Sequence, residues 1–192
     1  MEISRKTTMP CLYCKARCHG QAGFTLVELM VVIVVIAILS AITVPNIIDW
    51  LPNYRLKSAA RDLVSNFQKA KMEAVKENTD VIIQFTPGTY LPAGQVGSYK
   101  VFVDDAAPGA KWVFDAGEPI LAQVNMPKNV SLYTTTFAGD KTGFNSRALP
   151  IAPPPHDGNV TIRNNKSRYY KAVLSPVGHI KLRMSSDGIN WN

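Results

Sequence analysis

Three groups of side chains in this 192-residue sequence are of types that do chemistry. The first is Glu28, the only formal charge between Phe24 and Ile48. A carboxylate at mid-membrane costs about 2.5 to 3.5 kcal/mol and somewhat less near an edge, so Glu28 needs a partner. The second group is Cys11, Cys14, Cys18 and His19, the thiolate and imidazole types that zinc prefers. They form one packed run rather than two separated pairs, which argues for a merely positive leader and against a metal site. The third is Arg163, Lys166, Arg168, Lys171, Lys181 and Arg183, with Tyr169 and Tyr170 among them. Gathered on one edge, such cations hold phosphates while a tyrosine stacks on a base. Basic residues at alternate positions of a solvated strand give the same pattern.

Little else is chemically suggestive. The remaining histidines, His156 and His179, accompany no Ser/His/Asp order, His-Glu-x-x-His run or Gly-rich phosphate loop. Asp104-Asp105 lacks the further spaced carboxylates that calcium requires. The expectation is a protein that is not an enzyme and needs no metal or cofactor. Net charge is +7, of which residues 1–23 hold +3 through Arg5, Lys6, Lys15 and Arg17 against Glu2, so the body is only mildly basic. All three cysteines lie in that front segment, and a chain cleaved behind it must stand on its apolar core. Met9 is a second candidate start.

These groups must be positioned by two kinds of element. Leu29 to Leu39 holds only aliphatic residues, Met and Ala, and at 1.5 Å per residue residues 24–48 span a hydrocarbon core of roughly 30 Å. The run exceeds the apolar stretch of about 7 to 15 residues in a signal peptide. A plain single-pass anchor fits its length but gives Glu28 no role. Positive charge before it, with no acid between Arg5 and Gly23, places the N-terminus in the cytoplasm and the rest outside it. Beyond it, Leu56, Ala59, Ala60, Leu63, Phe67, Ala70 and Ala74 recur at steps of three and four, predicting an amphipathic helix over 49–78 that stops at Asn78. Pro45 removes one intrahelical bond and is expected to bend or loosen the helix near Ala41; Pro52 predicts a second kink or a restart. Trp50 and Tyr54 suit a membrane interface.

After Asn78 the pattern becomes short β-prone runs between turn residues. Strands are expected at Val81–Phe85, Tyr99–Val103, Lys111–Phe114, Leu121–Val124, Val130–Thr136, Val160–Arg163, Tyr169–Leu174 and His179–Met184. The fold class that follows is α+β, a long N-terminal helix, partly transmembrane, packed on an antiparallel sheet or small sandwich.

Gly23, Phe24, Thr25, Leu26 and Glu28 resemble the leader end of the type IV pilin superfamily. The resemblance implies that a prepilin peptidase cuts between Gly23 and Phe24 and N-methylates the Phe24 amine. It also implies that Glu28 serves assembly, its carboxylate neutralising the new ammonium of an adjacent subunit, and that Pro45 lies in a curved or locally melted stem. Downstream, Gly143 to Pro150, Gly158 to Ile162 and Val173 to Arg183 resemble the GspH/FimT family, with His179 where relatives often carry Arg. Membership implies a minor pseudopilin of type II secretion, in a filament that pushes exoproteins outward, or a minor pilin that primes a type IV pilus near its tip. The expected partners are the prepilin peptidase, other pilins, the inner-membrane assembly platform and the lipid bilayer. DNA is a further candidate, because some FimT-like minor pilins are implicated in its uptake. The expected organisation is a cleaved leader (1–23), a transmembrane half-helix (24–48), an amphipathic half-helix (49–78) and an extracytoplasmic head (79–192).

Overall fold

A computed structural model describes residues 23–92, 95–104, 112–151 and 157–192. The cysteine run, His19, Asp105 and His156 lie outside them. One helix, α1 (Leu26–Glu77), passes through both Pro45 and Pro52 without interruption, so no restart occurs at Pro52. Thr25 caps its start: the Thr25 Oγ1 accepts the Glu28 N–H at 3.1 Å, and the Thr25 carbonyl accepts Leu29 N–H at 3.1 Å. At the other end Asn78 takes φ 52°, and Thr79 N–H returns to the Ala74 carbonyl at 3.2 Å. That six-to-one bond closes a Schellman turn, and it explains why an Asn stands where a β-branched residue would be strained.

The chain divides into two compact units between Thr43 and Val44. In the first, the helix residues through Thr43 are exposed all round. Within the second, Leu56, Ala59, Ala60, Leu63, Phe67, Ala70 and Ala74 are all buried. Their stripe meets two antiparallel sheets. The first has the order β3-β2-β1-β5-β6, built from β1 (Asp80–Thr86), β2 (Ser98–Asp104), β3 (Ile120–Asn125), β5 (Lys141–Phe144) and β6 (Pro150–Ile151). The second has the order β4-β7-β8-β9, built from β4 (Val130–Thr135), β7 (Gly158–Asn164), β8 (Tyr169–Leu174) and β9 (Ile180–Ser185). Phe67 joins helix to sheet by contacts with Phe85 at 6.0 Å and Phe144 at 6.4 Å between ring centroids, and Phe85 stacks on Phe137 at 5.7 Å.

Two strand expectations need correction. Lys111 lies outside the described residues, and Trp112 to Phe114 form no strand: Trp112 has φ 79°, and the Phe114 ring packs edge-on against Phe102 at 5.4 Å. The Phe114 ring lies against the first sheet instead of pairing within it. Conversely, β5 and β6 form where no strand was expected. Gly143 sits inside β5, paired with Ile82, because a Cβ there would come within 2.4 Å of the Val81 carbonyl oxygen. Gly158 is the first residue of β7, with the Phe137 ring filling the space a side chain would need.

Candidate functional site

The residues around the expected cleavage point are accessible. Gly23 to Thr25 are non-helical and exposed, and no atom lies within 4 Å of where a Gly23 Cβ would be. Helix begins only at Leu26, so the exposed, non-helical Gly23–Phe24 bond precedes an already capped helix. Glu28 occupies the third position after the Thr25 cap, in the first turn, where the unpaired N–H groups favour a carboxylate. The Thr-x-x-Glu spacing of a capping box was present in the sequence and went unread there. The cap helps to explain the helix start; it does not remove the cost of a carboxylate among lipid chains. Leu26–Val44, 19 residues of mean hydropathy 2.8, is long and apolar enough to cross a membrane.

The six basic residues of the C-terminal half do not form one cluster. The register Lys171↔Arg183, Val173↔Lys181 and Arg163↔Tyr169 puts Arg163, Lys171, Lys181 and Arg183 on the outer face of the second sheet, while Val160, Ile162, Ala172 and Leu174 point to the core. Lys166 and Arg168 lie in the β7–β8 turn. Lys166 Nζ is 2.6 Å from Asp49 Oδ1 on the helix. Arg168 lines a groove of about 460 Å³ with Trp50, Tyr54, Arg61, Tyr170 and Met184. The Asn164 side chain holds this turn, accepting N–H bonds from Lys166 and Arg168 at 3.0 Å each and donating to Asn53 Oδ1 at 2.8 Å.

Two of the outer-face cations already have aromatic partners. The Arg163 guanidinium lies over Tyr90 at 3.7 Å, with Tyr169 at 5.2 Å and Tyr133 at 5.8 Å. Its buried Nε has no hydrogen-bond partner among the described residues, so ring faces supply the compensation. Burial pushes the Tyr133 hydroxyl pKa up, Tyr169 adds to the shift, and Arg163 opposes it. Lys171 Nζ sits 3.7 Å above the Trp191 ring, and its pKa is lowered first by burial and then by the neighbouring Arg183 charge. Lys181 and Arg183 remain exposed on β9. His179 is exposed in the β8–β9 turn, which Lys71 Nζ anchors through the Gly178 carbonyl at 3.1 Å. Tyr90, Tyr133 and Trp191 were invisible as partners in the sequence, because only the strand register brings them beside the basic residues. Among the described residues, no group of three or more His, Cys, Asp and Glu is arranged to hold a metal ion.

Residues 59–178 match the family model of the type II transport protein GspH, and residues 18–44 match the prokaryotic N-terminal methylation motif. The chain belongs to the GspH family. The GspH match begins within the helical stripe, after Leu56, and ends at the Gly178 turn, so it contains most of the core, both sheets except β9, and the Arg163 cage. The chain is a pilin-like subunit with an apolar N-terminal helix and a GspH head. Two curated relatives, both fimbrial proteins of Pseudomonas aeruginosa, are 36% identical over 68 residues, which is 35% of this chain and 44% of theirs. The chain thus matches less than half the length of those relatives. Two crystal forms of the Pseudomonas aeruginosa type IV minor pilin FimU align with it at 18% and 19% identity, over 71% and 73% of this chain and 97% and 94% of theirs, with TM-scores of 0.46 and 0.48.

Proposed function

We propose that the chain is a minor pilin or pseudopilin that takes part in priming or tip assembly of a type IV pilus or a type II secretion pseudopilus, and through it in pilus formation or protein secretion. One observation carries the reading: Gly23-Phe24-Thr25-Leu26-Val27-Glu28 heads an apolar helix in a chain whose remainder is a GspH domain. Residues 1–23 are the leader, residues 24–48 cross the inner membrane, residues 49–78 complete the helix, and the head of residues 79–192 faces away from the cytoplasm. Prepilin peptidase cuts before Phe24 and methylates its amine, which keeps the positive charge at the membrane edge. Glu28 of a neighbouring subunit then neutralises that charge in a low-dielectric helix bundle, where an ion pair is far stronger than in water. Pro45 supplies a bend in the stem. The assembly platform and other pilins are the remaining partners.

The test is Edman sequencing and mass spectrometry of the chain recovered from membranes of cells with and without active prepilin peptidase. The expected mature chain starts at Phe24 and carries one added methyl group; an unprocessed N-terminus in the presence of active enzyme would overturn the reading.

A second reading, DNA binding by the head, is favoured by the shared outer face of Lys171, Lys181 and Arg183 beside Tyr169 and Trp191. Salt-sensitive retardation of duplex DNA, lost when Lys181 and Arg183 become Ala, is the expected result. No retardation by wild-type protein at low salt would eliminate it.

A further inference from the structure

Strand β9 is the last strand of its sheet, and its two sides differ sharply. The β8–β9 turn closes with Ser175 N–H on the His179 carbonyl at 2.9 Å, which sets the alternation of the ladder. It follows that Lys181, Arg183 and Ser185 exchange backbone bonds with β8, whereas the N–H and C=O groups of Ile180, Leu182 and Met184 point away from the sheet. Asn192 satisfies Met184, giving and receiving one bond at 3.0 Å each. Among the described residues, no hydrogen bond reaches the outward N–H and C=O groups of Ile180 and Leu182. At the opposite edge of the same sheet, β4 is covered: Gly88 N–H bonds the Leu132 carbonyl, and Val96 bridges to Ser131. Among the described residues, the β4 edge is therefore covered and the Ile180–Leu182 stretch of the β9 edge is not.

The side chains beside that open edge alternate. Leu182 and Met184 are 37% and 43% exposed on the face next to the groove lined by Trp50, Tyr54 and Tyr170. Lys181 and Arg183 project from the other face, beside a shallow hollow of about 430 Å³ lined by Val173, Val177 and His179. Long flat edges with apolar side chains usually carry devices that prevent strand addition. On β9 the charges are all of one sign and lie on a single face, so they repel a second β9 while leaving a complementary strand free to pair.

We propose that β9 is a strand-addition site that receives an extended segment of a neighbouring filament subunit in which apolar and acidic residues alternate. Its apolar residues lie against Leu182 and the Trp50–Tyr54 groove, its carboxylates lie beside Lys181 and Arg183, and its backbone takes up the open groups of Ile180 and Leu182. This rests on the filament reading, which supplies the neighbour, and it names the surface and chemistry of the contact.

The test uses the full chain in detergent micelles and a capped heptapeptide of alternating Val and Glu, with an alternating Val and Lys peptide as control. The Val/Glu peptide is expected to slow amide hydrogen exchange at Ile180 and Leu182 by about tenfold or more, and the Val/Lys peptide to leave it unchanged. Leu182→Pro removes only an outward N–H, so it should keep the melting temperature and lose the peptide. The double variant Lys181→Glu with Arg183→Glu should exchange the preference, binding the Val/Lys peptide. Equal binding of both peptides, absence of protection at Ile180 and Leu182, or an unchanged preference in the double variant would each overturn the proposal. The double variant decides the matter even if Leu182→Pro does not fold. No filament or peptidase enters this assay, so its failure leaves the filament reading standing. DNA held by Lys181 and Arg183 would contact side chains and leave Leu182 exchange as it was.

Discussion

Tyr99 shows how much a single buried group contributes. Its ring is 1% exposed in the core, and its hydroxyl accepts a hydrogen bond from Asn66 Nδ2 at 2.8 Å. Burial pushes its pKa from 10.0 up to about 12; Asn66 works against the shift and the Asp62 charge adds to it. The folded state therefore holds the phenol proton more tightly than the unfolded state does. The associated stability is fully present below the unfolded pKa near 10 and is lost as pH rises to about 12. Two units correspond to about 3 kcal/mol. Denaturant midpoints of the wild type should fall across that window, and those of Tyr99→Phe should stay flatter, from a starting point about 1 kcal/mol lower because Asn66 loses its acceptor. Parallel pH profiles for the two proteins would remove Tyr99 as the cause. Asp187 works in the opposite direction. Bonds from Ser185, the Ile189 and Asn190 N–H groups and the Asn190 side chain hold its carboxyl below the usual range, so its contribution to the 185–190 turn disappears on acidification.

At the scale of elements, the helical stripe is the part on which both sheets depend. Phe67 is 1% exposed between Phe85 and Phe144, and Phe67→Ala should cost about 3 to 5 kcal/mol, read as a loss of unfolding free energy in urea. A cost under about 1 kcal/mol would mean that the sheets hold together without it. Gly97 is the second control point, with φ 86° and space for a Cβ only 2.6 Å from the Leu132 carbonyl oxygen, where the chain crosses from one sheet to the other. Gly97→Ala combines a disfavoured backbone with a clash, and should lower stability by more than the about 1 kcal/mol of an ordinary Gly substitution. The stripe was legible because its period is set by one helix alone. So were β1, β2, β4 and β8, which are dense in β-branched and aromatic residues. β5 was not legible because a glycine inside a strand gives no strand signal until its partner strand is known, and Trp112 to Phe114 misled because apolar residues beside a sheet resemble those that build one. The basic surface was half legible: alternation put Lys181 and Arg183 on one face, but nothing local separates Lys166, held by Asp49, or Arg163, held by Tyr90, from the free cations.

For the whole molecule the decisive residue is Glu28. The dipole of the first helical turn favours a carboxylate by a fraction of a kcal/mol at an exposed end, less than the roughly 2.5 to 3.5 kcal/mol that the middle of a bilayer exacts, a cost that is somewhat lower near the start of the span where Glu28 stands. An apolar residue at position 28 should therefore improve membrane insertion of the isolated chain. In the proposed filament the partner of the carboxylate is the Phe24 ammonium of a neighbour. Glu28→Leu and Glu28→Gln should both be cleaved before Phe24 and retained in the membrane, because the Gly23–Phe24 bond and the apolar helix are untouched. Both should be depleted from sheared filaments when expressed beside the other subunits, and Glu28→Asp should be depleted less, since it retains the charge on a shorter side chain. Immunoblots of the membrane and sheared fractions separate insertion from assembly. Wild-type levels of Glu28→Leu in sheared filaments would show that the carboxylate has no assembly role, and its place in the first turn of α1 would then be the reason left for the residue.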